Sequence, residues 1–150
     1  MRLLHTADLH LGRSLHGADL IEDQAHLLDQ FIDLARQEKP DAVVIAGDVY
    51  DRAVPPVKAI ELLNEALTRL VADLAVPVIM IAGNHDGPAR LAFGNRLLAE
   101  RGLHILGGYG PDRCGVTVED AHGGGVVSGL AVGTRGHAVG RNSPALAVLP

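Results

Sequence analysis

The chain has 150 residues, a length that suits one domain, and a formal net charge of −5. That balance excludes a broadly basic surface of the kind that holds nucleic acid by charge alone, and the single cysteine, Cys114, excludes an internal disulfide. With no Trp, two Tyr and two Phe against 47% hydrophobic residues, the core has to be aliphatic.

The N-terminal stretch Met1 to Asp8 has a charge but no apolar run of signal-peptide length. No segment approaches the roughly 18 apolar residues of a membrane span, so a cytoplasmic protein without a membrane segment is the expectation. Arg2 to Thr6 reads as a strand that stops at Asp8. Ile21, Ala25, Leu28, Ile32 and Ala35 then recur at helical spacing and predict an amphipathic helix that ends before Lys39-Pro40. Ala42 to Ala46 is an unbroken apolar run, the pattern of a strand buried on both faces.

Pro55 and Pro56 open a second helix, where a missing N–H costs little, with Ile60, Leu63, Leu67, Leu70 and Leu74 as its buried face. Val76 to Ala82 predicts a third strand, with Pro77 tolerated near its start. Pro88 opens a third helix that buries Leu91, Leu97 and Leu98, Gly102 caps it, and Leu103 to Leu106 forms a fourth short strand. Strands alternating with helices predict an α/β fold built on a parallel sheet. From His122 onward, Gly123, Gly124, Gly125, Gly129, Gly133, Gly136 and Gly140 crowd the text without a helical or strand period. A loop, a disordered end and a shifted reading frame all fit this tail, 122–150, which is therefore set apart from 1–121.

Three polar clusters follow three of these strands: Asp8-Leu9-His10, Gly47-Asp48-Val49-Tyr50-Asp51-Arg52, and Gly83-Asn84-His85-Asp86. In an open parallel sheet, ligands bind at the carboxyl ends of the strands, so clusters far apart in sequence converge in space. Carboxylate, imidazole and amide oxygen suit Mn, Fe or Zn. Asp8 and Asp48 can hold two divalent ions if one carboxylate lies between them, and two such ions clamp a phosphate and activate water near neutral pH. The ions' own charge also inverts the local field of an acidic chain. Gly47 and Gly83 stand where a strand end must turn tightly beside a ligand. This chemistry is phosphate-ester hydrolysis.

Asp-x-His, Gly-Asp-x-x-Asp and Gly-Asn-His-Asp in this order resemble the signature of the calcineurin-like metallophosphoesterases. Leu4 to Gly12, Ala46 to Asp51 and Ala82 to Asp86 resemble, more narrowly, the SbcD family of bacterial nucleases. The resemblance implies the N-terminal part of an α/β/β/α sandwich and a Mn-dependent DNA nuclease acting in repair and recombination with an SbcC-type ATPase subunit, in relatives that are dimeric. It implies two divalent metal ions held by Asp8, His10, Asp48 as the bridge, and Asn84. His85 would protonate the leaving oxygen or stabilise the transition state, Asp51 would orient His85, and Arg52 would contact phosphate.

The family completes its site with later histidines, including a Gly-His-x-His motif. Here only His104, His122 and His137 remain beyond the third cluster, and Gly136-His137 is followed by Ala-Val. The resemblance therefore covers the front part of such an enzyme. An inactive fragment that binds metal or a partner without turnover, and a general phosphodiesterase or phosphatase of the same superfamily, are the competing expectations. Half a sandwich would also expose a sheet edge or face and promote self-association. Taken singly, the residues have blander readings: an Asp after a strand usually caps or turns, Asp86 would cap the helix at Pro88, His5 would pack in its strand, and His16 and His26 would face solvent.

Overall fold

Ala42 to Ala46 has no polar side chain, so a strand there must be covered on both sides. The computed structural model, which describes residues 1–106, 115–120, 123–128 and 147–149, is organised around that requirement. Strand β4 (Ala42–Ala46) lies between β1 (Leu3–Thr6) and β5 (Val78–Ile81), and β6 (Leu103–Leu106) completes a four-stranded parallel sheet of order β1-β4-β5-β6. The ladder starts two residues later in β5 than the apolar run suggests. Pro77 has no N–H to give, although its carbonyl still accepts from Val43 N at 2.8 Å.

Register decides which residues meet which layer. Leu4, Val43, Val78 and Leu103 lie in one row. This face packs against helix α1 (Ile21–Glu38) through Leu28, Ile32 and Ala35, and against α2 (Val57–Thr68) through Ala59, Leu63 and Ala66. The alternate residues Ala42, Val44, Ile79 and Ile81 face the other way and meet Val116 and Val118 of β7 (Gly115–Asp120). Strands β8 (Gly123–Ser128) and β9 (Ala147–Leu149) pair with it as a second, antiparallel sheet of order β7-β8-β9. Helices, parallel sheet and antiparallel sheet are three layers of the expected α/β sandwich. A short hairpin, β2 (Ser14–Leu15) with β3 (Ala18–Asp19), precedes α1.

Several expectations need correction. The buried stripe of α2 is Ala59, Leu63, Ala66 and, in the π turn Arg69–Asp73 that follows, Leu70. Ile60 is 44% exposed. Alanines let the helix lie close to the sheet, so Ala59 and Ala66 share its inner face with the expected Leu63 and Leu70, and Ile60 does not. The single helix expected after Pro88 is two short ones, α3 (Pro88–Leu91) and α4 (Asn95–Ala99), parted at Gly94, whose φ of 73° is left-handed. Leu97 is consequently 76% exposed, and Phe93 86%.

The open sheet face expected of half a sandwich is covered at its centre, since Val44 and Ile79 are fully buried. Exposed large apolar side chains among the described residues include Ile60, Phe93 and Leu97. The glycines Gly123, Gly124 and Gly125 form strand β8 opposite Asp120, Glu119 and Val118. Three successive glycines have no side chains whose alternation could be read. Cys114, His122 and His137 lie outside the described residues. No helix among the described residues is long and apolar enough to cross a membrane.

If these layers hold the fold, Ile79→Ala in the parallel sheet should destabilise the chain by about 2–5 kcal/mol. Leu97→Ala should stay within about 0.5 kcal/mol. Urea unfolding midpoints of the two variants check the contrast, and equal losses would contradict the burial pattern.

Candidate metal centre

The loops after β1, β4 and β5 run side by side because their strands do. Asp8 N donates to Gly47 O (3.2 Å), His10 N to Asp48 O (2.9 Å) and Leu11 N to Val49 O (2.9 Å), so the first loop is laced to the second by its main chain. Gln24 of α1 braces it from behind: its Oε1 accepts from Gly12 N (3.0 Å) and its Nε2 donates to His10 O (2.8 Å). Asp8, His10 and Asp48 all have left-handed backbones, with φ of 55°, 44° and 43°. Each such residue costs on the order of 1–3 kcal/mol and persists only where its surroundings hold it. That three candidate ligands share the strain points to a site rather than to a turn.

The second and third loops cross at glycine. Gly47 has φ 82°, and its N donates to Ile81 O at 2.9 Å. A Cβ on Gly83 would stand 2.1 Å from Asp48 N and 2.2 Å from Asp48 Oδ1, so no side chain fits between the loops. Across this contact His85 N donates to Asp48 Oδ1 at 2.8 Å.

The converging side chains form two donor groups. Asp8, His10 and Asp48 offer ligand atoms within 4.8 Å of one another, and so do His10, Asp51 and His85. His10 Nε2 is 3.9 Å from Asp48 Oδ2, and His10 Nδ1 is 3.6 Å from Asp51 Oδ1. Both separations are too long for a hydrogen bond. Two donors sharing an ion at roughly 2.1 Å each stand about 3–4.2 Å apart, which these distances satisfy. His10 Nδ1 is moreover a buried polar atom without a hydrogen-bond partner. Oxygen and imidazole donors without thiolate suit a borderline or hard divalent ion. Among the described residues Asp8, Asp48, Asp51 and Asp86 make no ion pair with Lys or Arg. The residues therefore fit a divalent metal.

His85 is exposed and its ring stands edge-on to that of His10, with centroids 4.8 Å apart. A carbonyl can only accept, so the 2.8 Å contact of His85 Nδ1 with Asp51 O fixes the proton on Nδ1 and leaves Nε2 outward. That main-chain hydrogen bond raises the imidazole's pKa above its ordinary value. Desolvation opposes the rise, and the negative charges of Asp48, Asp51 and Asp86 add to it. Asp51 thus holds His85 through its main-chain carbonyl, whereas its carboxylate, expected to do so, faces His10. Arg90 donates to Ala53 O and so ties α3 to the end of the same loop.

Asn84 is exposed at the tip of the third loop. Arg52 is exposed beside a cleft that Ser14, Asp19, Pro56 and Lys58 also line. Asp86 differs from its expected role: the helix at Pro88 has Gly87 at its N-cap position and no side-chain cap, and the Asp86 carboxylate points inward. Gln24 is the residue that motif reading overlooks, and Asp86, the last residue of the third motif, is the one whose role it misplaces. A polar residue beside the buried stripe of α1 is the sequence signal for the first, and none distinguishes the second from a cap.

Because the two loops touch at Gly83, Gly83→Ala should weaken binding of a divalent ion about tenfold or more. A calorimetric Mn²⁺ titration of the folded variant checks this, and unchanged affinity would contradict the contact.

Residues 1–136 match the family model described as calcineurin-like phosphoesterase. With three strand-end loops that gather aspartate and histidine at one rim of a parallel sheet, and with that match spanning most of its length, the chain belongs to the calcineurin-like phosphoesterase family.

Proposed function

We propose that this member of a family of metal-dependent phosphoester hydrolases acts on DNA, as a nuclease of the SbcD type in repair and recombination. The observation that carries the reading is the convergence of the first and second clusters on His85. Asp8, His10 and Asp48 provide one donor group, and His85, held through Nδ1, presents Nε2 at its edge. The narrow wording of the flanks, Leu4 to Gly12 and Ala46 to Asp51, supports the nuclease over other phosphoesterases.

In this reading Asp8, His10, Asp48 and Asn84 hold two divalent ions, Mn²⁺ foremost. The ions supply Lewis-acid polarisation of the phosphate and a lowered pKa for bound water. Asp48 would be the ligand common to both ions; its Oδ1 accepts from His85 N and its Oδ2 lies on the His10 side. His85 Nε2 would deliver a proton to the leaving oxygen. Arg52, unpaired among the described residues, contacts a phosphate of the substrate by its planar fork. An SbcC-type ATPase subunit is the proposed partner. The exposed side chains Ile60, Phe93 and Leu97 support contact with a second copy.

A metal binder without turnover and a general phosphodiesterase are the remaining alternatives. Mn²⁺-dependent hydrolysis of bis-p-nitrophenyl phosphate by the 150-residue chain, beside Asp48→Asn, separates them. The nuclease reading expects activity that falls at least a hundredfold in the variant, on the scale of losing one electrostatic element of a site, and cleavage of duplex or single-stranded DNA under the same conditions. Cleavage of the small diester without DNA would favour the general phosphodiesterase. Metal binding without turnover in both proteins would favour the silent binder.

A further inference from the structure

Asp48 and Asp86 are the buried charged residues among those described, and Asp86 is the deeper, at 0% exposure. A carboxylate removed from water requires either a cationic partner or a full set of hydrogen bonds. Asp86 has no ion pair, and its oxygens take three main-chain donors instead. Oδ2 accepts from Gly83 N (2.8 Å) and Val49 N (3.1 Å), and Oδ1 from Tyr50 N (2.9 Å). Burial and the Asp86 charge together push the Tyr50 phenol up to about 12, so that side chain stays neutral beside it.

These donors come from two different loops. Gly83 opens the loop after β5, and Val49 and Tyr50 follow Asp48 in the loop after β4. In the opposite direction Asp48 Oδ1, in the β4 loop, accepts from His85 N in the β5 loop. Each loop therefore lends a carboxylate to the main chain of the other. Asn84 and His85 lie between Gly83 and Asp86, both of which are pinned. Asp48 is pinned at its own Oδ1 and at the N–H of the next residue, which turns Oδ2 toward His10. Asp86 itself belongs to neither donor group.

The geometry points to Asp86 as a positioning residue of the metal centre, which sets the orientation of Asp48 and of Asn84-His85 by binding both loops to one carboxylate. The inference rests on Asp48 being a metal ligand. It assigns the last residue of the third cluster a task distinct from ligation and from helix capping. Asparagine cannot replace it. Its one oxygen could keep the two bonds made by Oδ2, but its amide group would then meet Tyr50 N donor against donor.

The test uses the whole 150-residue chain and Mn²⁺ as probe, followed by electron paramagnetic resonance. Asp86→Asn, folded by circular dichroism, should bind Mn²⁺ roughly ten- to hundredfold more weakly, the range for losing a residue that orients ligands, with an altered spectrum for the ion that still binds. Folded Asp86→Asn with wild-type affinity and an unchanged spectrum would overturn the proposal. Asp48→Asn serves as the separate control. If it too binds as wild type, the metal reading of Asp48 fails, whereas loss in Asp48→Asn alone sinks only the role of Asp86. Should Asp86→Asn not fold, amide exchange in the metal-free wild-type chain decides. Slow exchange at Val49, Tyr50, Gly83 and His85 before metal is added supports Asp86 as the organiser. Fast exchange that slows only with Mn²⁺ overturns it.

Discussion

The ends of β4 and β5 meet at a separation that no side chain on residue 83 would permit, with a notional Cβ 2.1 Å from Asp48 N. The rest of the centre follows from that contact. It brings His85 N within 2.8 Å of Asp48 Oδ1, and Tyr50 N within 2.9 Å of Asp86 Oδ1. It also requires the loop after β4 to turn at Gly47 and Asp48 with left-handed backbones, and the loop after β1 to follow it with two more at Asp8 and His10. Strain at three non-glycine residues, on the order of 1–3 kcal/mol each, is tolerable because the strands that carry the loops are locked. Val43, Val44, Val78, Ile79 and Ile81 are each at most 1% exposed, and burying one such side chain stabilises by about 1.5–3 kcal/mol. A rigid apolar slab of this kind can hold strained polar ends at its rim.

That division of labour explains what was legible in the sequence. The slab was readable because its signals are local: an unbroken apolar run at Ala42 to Ala46, a second one from Val76 to Ala82 interrupted only by Pro77, and helical spacing from Ile21 to Ala35. The convergence of three polar clusters followed from parallel topology alone, and the order β1-β4-β5-β6 places their strands side by side. What failed to be legible depended on distance rather than pattern. Ala59 and Ala66, not Ile60, face the sheet because close packing selects small side chains. Gly94 reads equally as a tolerated helix residue or as a break, and only its left-handed backbone decides. Asp86 two residues before Pro88 has the pattern of a cap, yet its carboxylate takes the N–H groups of Gly83 in its own loop and of Val49 and Tyr50, 37 and 36 residues away.

The glycines of β8 make the same point from the opposite side. A strand announces itself by alternation of side chains, and Gly123, Gly124 and Gly125 have none to alternate. Their pairing with β7 is written in the main chain only, while the informative half of the pair, Val116 and Val118, supplies the apolar contacts with Val44 and Ile79. The second sheet is thus specified by one of its strands, whose burial against the parallel sheet closes the face that the first 106 residues alone would leave open.

Electrostatics then constrain the order of events at the rim. Asp8, Asp48, Asp51 and Asp86 stand in three adjoining loops of a chain whose formal charge is −5, and no Lys or Arg neutralises them among the described residues. A phosphate approaching such a rim is repelled, all the more if it belongs to a polyanion. Arg52 and Lys58 line one neighbouring cleft, but Asp19 shares it. Cations must therefore enter before a phosphoester can. His10 Nδ1, on the Asp51 side, is a buried polar atom without a hydrogen-bond partner, and Asp48 Oδ2 lies 3.9 Å from His10 Nε2, too far for a hydrogen bond. The rim's affinity for a divalent ion and its refusal of an anion are one property of the same carboxylates, those of Asp8, Asp48 and Asp51. For that reason the electrostatics alone predict ordered binding, metal first and phosphoester second.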